Sequence, residues 1–300
     1  MLRRLASATV FPLLLTIVVG GAAWALDRGA SIPAVLGVAS LASVLAVVLL
    51  ERVLPYRREW NRAHGDLATD AAYLPTSVGL NAAIEPVGTL VGVTIAAWIS
   101  ELGGGSLWPS AWPLLAQLVL ACVVAEAFDY WGHRVLHESA LLWRIHATHH
   151  SAPRLYWLNA TRSHPLEVLF RGLISFVPLA VAGAGENVLA LFGATTIVVG
   201  LFQHANVDTR LGPLSWIFSV GEIHRWHHSP LLAEANHNYG NNFLFWDVVF
   251  GTRYLPPDRA APADIGIEGL DAFPRGYLAQ IVSPLRWRSI VAANGNPRPG

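Results

Sequence analysis

Eight of the twelve histidines in this 300-residue chain fall into three tight groups. They are His133-Arg-Val-Leu-His137, His146-Ala-Thr-His149-His150 and His224-Arg-Trp-His227-His228. The spacings are i,i+4 once and i,i+3,i+4 twice. Residues three and four apart share one face of a helix, so each group is expected to turn its imidazoles toward a common point. One zinc ion takes about three or four protein ligands. Eight imidazoles exceed the needs of one ion, and the spacing predicts a two-metal site. Imidazole suits iron, zinc, copper and nickel. A shell of neutral nitrogens, in place of the carboxylate-rich shell of bundle di-iron proteins, leaves the metal pair highly positive. The chemistry expected of it is oxygen activation followed by attack on an unactivated C–H bond.

Further residues join this set as candidates. His204, in Gln203-His204-Ala205-Asn206, is expected at the end of a returning helix and as a ninth ligand. His164 precedes Pro165, which favours extended backbone. It and His237, in Asn-His-Asn, are possible additional metal or substrate-side residues. His64, among Arg62, Gly65 and Asp66, is expected on the surface. Ligating histidines usually donate their other ring nitrogen to a carboxylate or carbonyl. The candidate acceptors are Asp129, four before His133, Asp208, four after His204, Glu138 and Glu222. Trp131, Trp143, Tyr156, Trp157 and Trp226 are read as interface-belt or core aromatics, and Arg154 and Arg162 as loop arginines that are solvated or meet lipid phosphate or an electron donor.

The elements that must carry these residues are apolar. Hydrophobic residues make up 53% of the chain and charged residues 13%, against about 25% charged in soluble domains. The expected class is an integral membrane protein. The formal net charge is zero, which removes the electrostatic case for nucleic acid, and every basic residue is arginine. The one cysteine, Cys122, lies in an apolar run and is expected to be a buried small residue.

Apolar runs at residues 8–26, 32–50 and 112–128 are expected to cross the bilayer, which takes about 20 residues, and the run at 73–99 is read as a kinked or partly interfacial helix. The first is taken as an uncleaved span, although Ala23-Trp24-Ala25 also fits a signal-peptide cleavage site. Pro75 and Pro86 should kink the 73–99 run. A further block, residues 166–202, is broken by Ala182-Gly-Ala-Gly185 and reads as a membrane-associated helical hairpin. Arg52 to Arg62 place their loop in the cytoplasm, and the arginine-free loop 100–111 outside. All three histidine groups then meet on the cytoplasmic side. Residues 277–291 are expected to form an interfacial helix, and 294–300 a disordered tail. The predicted architecture is an all-α bundle of about four spanning helices, with the hairpin and a cytosolic histidine-rich di-metal cap. Its divisions are N-terminal spans at 1–111, a catalytic domain at 112–253 and an interfacial extension at 254–300.

The string Asp129-Tyr-Trp-Gly-His133-Arg-Val-Leu-His137-Glu resembles the fatty acid hydroxylase superfamily of sterol desaturases, sphingolipid hydroxylases, sterol methyl oxidases and alkylglycerol monooxygenases. So do Leu142-Trp-Arg-Ile-His146-Ala-Thr-His-His150-Ser, Arg162-Ser-His164-Pro-Leu-Glu167 and His224-Arg-Trp-His-His228-Ser. Asn238-Tyr-Gly240 and Trp246-Asp-Val-Val-Phe-Gly-Thr252 complete the match. The resemblance implies a membrane oxygenase with two iron ions that hydroxylates or desaturates a lipid: a sterol, fatty acyl, sphingoid, ether-lipid or terpenoid chain. It implies dioxygen as co-substrate and a separate electron donor, whether a reductase, a ferredoxin, a haem protein or a reduced pterin. Zinc is an expected substitute for iron in purified protein. The competing readings are a histidine-rich metal transporter, which would be expected to carry its ligands inside the spans, and a zinc-dependent membrane hydrolase, for which eight ligands are a surplus.

Overall fold

The computed structural model describes residues 1–101 and 107–295. The glycines 103–105 and most of the expected tail lie outside the described residues. The helices are α1 (Leu2–Asp27), α2 (Ile32–Val53), α3 (Leu67–Glu101), α4 (Leu114–Glu138), α5 (Ala140–His150), α6 (Pro165–Ala182), α7 (Glu186–His204), α8 (Gly221–His227), α9 (Leu232–Ala235), α10 (Phe245–Val249), α11 (Tyr277–Ile281) and α12 (Trp287–Ala293). Among the described residues there is no β-strand, only two isolated bridges. The all-α expectation holds.

Six helices, α1 to α4, α6 and α7, are long and apolar enough to cross a bilayer. Four spans and a hairpin were expected. The hairpin is present as α6 and α7, joined at Gly183, whose φ of 90° is the left-handed cap that glycine adopts without strain. At 18 and 19 residues, each arm is itself about 27–29 Å long, close to the thickness of a hydrocarbon core. Length and apolarity therefore do not separate these two from the other four.

The bundle is organised around α7, the most enclosed of the six candidates. Helices α1, α2 and α4 pack against it, and α3 packs against α6. On α2 the buried side is a stripe four residues apart, Val35, Ala39, Ser43 and Val47, and Glu51 continues it. Val38, Leu41, Leu45 and Leu49 are exposed on the other side, a face suited to acyl chains. The stripe carries the Glu51 carboxylate inward, where it accepts hydrogen bonds from the backbone of Trp157 and Asn206 at 2.8 and 3.0 Å. On α1, Phe11 is wholly buried, edge-on to Phe202 of α7 at 5.2 Å and to Phe218 at 5.1 Å.

Helix α4 runs unbroken from the apolar run through the first histidine group. His133 and His137 thus sit on the last two turns of a candidate span. Helix α6 leaves that level and α7 returns to it, ending on His204. The short helices α5 and α8 lie across the same end and carry the other two groups. The contact between α3 and α6 is close because small residues line it. A Cβ at Gly92 would collide with the Cβ and backbone of Ala180, whereas one at Gly79 on the same helix meets open space.

Gly92→Val should therefore destabilise the fold by about 1–3 kcal/mol through overpacking, while Gly79→Ala should leave it unchanged or slightly more stable. Thermal unfolding of both variants in one detergent checks this; equal melting temperatures would exclude close α3–α6 packing.

Candidate metal centre

Nine histidines gather at the end of the bundle in two sets. His133, His137, His146, His150 and His227 form one; His149, His204, His224 and His228 form the other. Within each set the candidate ligand nitrogens lie within 4.8 Å of one another. His164 and His237 fall in neither. The expectation that each sequence group would aim at one point needs correction. On α5, His146 and His150 turn to the first set and His149 to the second; on α8, His224 and His228 turn to the second and His227 to the first. Members four apart share a point because about 400° of helical turn nearly returns to one direction. The member at i+3 sits on the other flank of that face. Each H-x-x-H-H group therefore straddles both sets, crosswise.

The outer ring nitrogens fix which inner ones carry a lone pair. His133 Nδ1–H donates to the Tyr239 carbonyl at 2.7 Å, His149 Nδ1–H to the Arg162 carbonyl at 3.1 Å and His227 Nδ1–H to the His237 carbonyl at 2.8 Å. A carbonyl can only accept, so these rings are Nδ1–H tautomers and each Nε2 is bare. Asn159 gives a fourth case. Its Nδ2 donates to Arg154 O and its Oδ1 accepts from Tyr156 N, so Oδ1 is the acceptor for His204 Nδ1–H at 3.0 Å. His146 Nδ1 lies 2.9 Å from the buried Glu167 carboxylate, and His137 Nδ1 is 3.2 Å from Asn236 Oδ1.

Inner nitrogens then face one another. His146 Nε2 is 3.2, 3.0 and 3.1 Å from the Nε2 atoms of His133, His137 and His150. His224 Nε2 is 3.2 Å from His204 Nε2 and 3.0 Å from His228 Nε2. His149 Nε2 and His227 Nε2 are buried and make no hydrogen bond. Two lone pairs at such a distance repel unless a cation lies between them. Two nitrogens bound to one ion at about 2.1 Å, at angles of about 90–100°, stand about 3.0–3.2 Å apart. The residues present fit a pair of divalent ions, one held by up to five imidazoles and the other by four. The sets abut, with the His150 and His228 rings stacked at 4.4 Å.

Burial pushes the pKa of His146, His149, His150, His224 and His228 well below the ordinary histidine value, and that of His227 to about 4. Neighbouring imidazoles reinforce the shift. These rings are neutral at pH 7, as ligation requires.

The acids picked from sequence as partners of the ligands bind elsewhere. Asp129 accepts from Ser175 at 2.7 Å and pairs with Arg171 at 3.7 Å. Asp208 pairs with Arg3 and Arg210, Glu138 with Arg134, and Glu222 accepts from Leu211 N. In each case the partner is an arginine, a hydroxyl or a backbone amide. The groups that do hold the rings are Glu167, Asn159, Asn236 and three carbonyls. Glu167 carried a signal, as a lone acid in the first turn of an apolar helix. A backbone carbonyl carries none.

His164 caps α6: its Nδ1 accepts from Leu166 N, and its Nε2–H donates to the Ile281 carbonyl at 3.0 Å. His237 gives its carbonyl to His227 while its ring packs on Tyr254. Arg154 and Arg162 are not solvated; they are buried on Asp66 and Asp70, each at 2.7 Å. Tyr156 and Trp226 are core residues, whereas Trp131 is 47% exposed. His64 is exposed and Cys122 buried, as expected.

With six helices long and apolar enough to cross a membrane and this imidazole double cluster at one end, the chain belongs to the fatty acid hydroxylase family. The model of that family matches residues 118–252, which includes all nine clustered histidines. The ornithine lipid hydroxylase of Rhizobium tropici is 40% identical over 246 residues, covering 81% of this chain and 73% of that protein. A very-long-chain aldehyde decarbonylase of Oryza sativa is 29% identical over 144 residues, or 47% of this chain and 54% of the relative. Methylsterol monooxygenase 2-2 of Arabidopsis thaliana is 28% identical over 146 residues, 48% of this chain and 54% of its own length. No solved structure gives a significant match.

Two outcomes are expected. Metal-free protein should lose stability as pH falls. The buried imidazoles have folded-state pKa values below the unfolded value of about 6.5, so the unfolded chain binds the extra protons. Stability is complete above pH 6.5 and drains away toward pH 4, the folded value for His227. Melting temperature against pH tests this; a flat profile from pH 7 to 4 would contradict it. Glu167→Ala should weaken metal binding by about 10–100-fold, read as metal retained per chain after graded chelation.

Proposed function

We propose that the chain is a membrane lipid oxygenase that holds two iron ions and uses dioxygen and electrons from a separate protein to oxidise a C–H bond of its substrate. The observation that carries this reading is the convergence of nine histidine rings into two adjacent sets of candidate ligand nitrogens, within a chain of this family. The 40% identity to an ornithine lipid hydroxylase across most of both chains favours hydroxylation, and an amino-acid-headed membrane lipid of that class as the substrate. The His site is assigned to the cytoplasmic side on the strength of the arginines around residues 52–62.

Bound in the two sets, the iron pair would supply the oxidising power that no amino-acid side chain has. The protein's part is positioning. Residues His133, His137, His146, His150 and His227 would hold one ion, and His149, His204, His224 and His228 the other. Tyr239, Arg162, Asn159, Glu167 and the His237 carbonyl keep the rings turned inward. A shell of neutral ligands leaves the full cationic charge in place. Burial of eight of these nine histidines, with His137 half-buried, limits the access of bulk water, which would otherwise quench a strong oxidant. The exposed aliphatic faces of the spans keep the site next to the bilayer in which the substrate is dissolved.

Membranes carrying the chain and a matched reductase should hydroxylate ornithine lipid in a reaction that needs both oxygen and iron, with the product identified by mass spectrometry. His149→Ala and His227→Ala should each lower turnover by at least about a hundredfold, in line with the loss of a group acting in the reacting unit. Each variant should also lose one metal per chain. Wild-type turnover in either variant would reject the assignment.

A further inference from the structure

The C-terminal stretch has a charge pattern that the metal centre does not use. From Ala272 to Gly295 the sequence contains no acid, but it contains Arg275, Arg286 and Arg288. No ion pair among the described residues involves these three or Arg144. Arg144 of α5, Arg286 and Arg288 converge with Pro284 and Leu285 around an open pocket of about 540 Å³. The Arg144 Nε is buried there without a hydrogen-bond partner. Arginine's planar fork is matched to phosphate oxygens.

The same stretch exposes apolar side chains. Leu278 on α11, and Val282 and Leu285 in the turn that joins it to α12, are 75%, 39% and 90% exposed. The rest of the stretch is tied to the protein. The Tyr277 ring meets Tyr73 edge-on at 4.8 Å and its hydroxyl lies 2.8 Å from Thr76 Oγ1, both on the early turns of α3. Thr69 Oγ1 donates to the Arg275 carbonyl at 2.7 Å, and the Ile281 carbonyl accepts from His164 at the start of α6. Trp287 is buried with Trp143, Phe273 and Ile290. The segment is therefore fixed at the height where two candidate spans emerge, with aliphatic residues outward and cations beside them.

We infer that residues 275–288 form a binding site for an anionic phospholipid of the surrounding bilayer. The phosphate sits between Arg144, Arg286 and Arg288, and the acyl chains lie against Leu278, Val282 and Leu285. A free phosphate would satisfy the arginines but leave the aliphatic side uncovered. An acidic protein partner would leave it uncovered too. A lipid satisfies both, and cationic residues near an anionic leaflet gain in proportion to their number. The site is distinct from the metal centre and does not depend on the reaction proposed for it.

The test uses the full chain in uncharged detergent, with bound lipid counted by native mass spectrometry. Phosphatidylglycerol should be retained and phosphatidylcholine lost, and inorganic phosphate at equal concentration should not displace the retained lipid. The double substitution R286Q/R288Q should weaken phosphatidylglycerol binding about thirtyfold, the effect of removing two cations from an anionic lipid surface. Circular dichroism and lipid-free melting temperature should match the wild type. Equal retention by a folded double variant would overturn the site, as would equal binding of phosphatidylcholine or displacement by free phosphate. If the double variant does not fold, R288Q alone and the contrast between the two lipids on wild-type protein decide the question.

Discussion

Crowding of nine imidazoles into two adjacent buried sets is the constraint on which this structure turns. With Nδ1 committed outward on His133, His149, His204 and His227, the Nε2 atoms of those four rings carry a lone pair and no proton. Holding such lone pairs together away from water costs energy that a bound cation would offset. The surrounding fold resists that cost. The acids that hold the loops do so through backbone amides: Glu51 clamps Trp157 and Asn206, Glu126 takes the amides of Asn241, Asn242 and Phe243, and Asp247 takes those of Tyr239 and Gly240. Glu51 and Glu126 come from α2 and α4, so carboxylates on rigid spans set the loops, and loop carbonyls set the rings.

This hierarchy explains what was legible in the sequence. The positions of the long apolar helices, the break at residues 182–185, the all-α class and the clustering of the nine histidines were readable, because each is a local pattern of period or spacing. The partners of the rings were not. Asp129 and Asp208 were chosen because they stand four residues from a histidine, yet each meets an arginine brought from elsewhere in the chain. The ring partners come from 10 to 106 residues away, and half of them are carbonyls that every residue possesses. Arg154 and Arg162 were misread for a related reason. Their acids lie on the start of α3 and just before it, 88 and 92 residues earlier, and sequence spacing does not report such a meeting.

His164 shows the same limit in a useful form. Its place before a proline at a helix start marked it as special, and it is special, but as a cap rather than in the cluster. One ring nitrogen closes the first turn of α6 and the other holds the C-terminal segment. The histidine thus links the loop that steadies His149 to the surface stretch rich in arginine.

The crosswise division of the two H-x-x-H-H groups has a mechanical consequence. Consecutive residues, His149 with His150 and His227 with His228, belong to opposite clusters, so neither α5 nor α8 can shift without disturbing both. The two helices act like meshed gears: a small rotation of either would move candidate ligand nitrogens of both sets together. The offset between the two sets along α5 and α8 follows the turn of the α-helix, about 100° per residue.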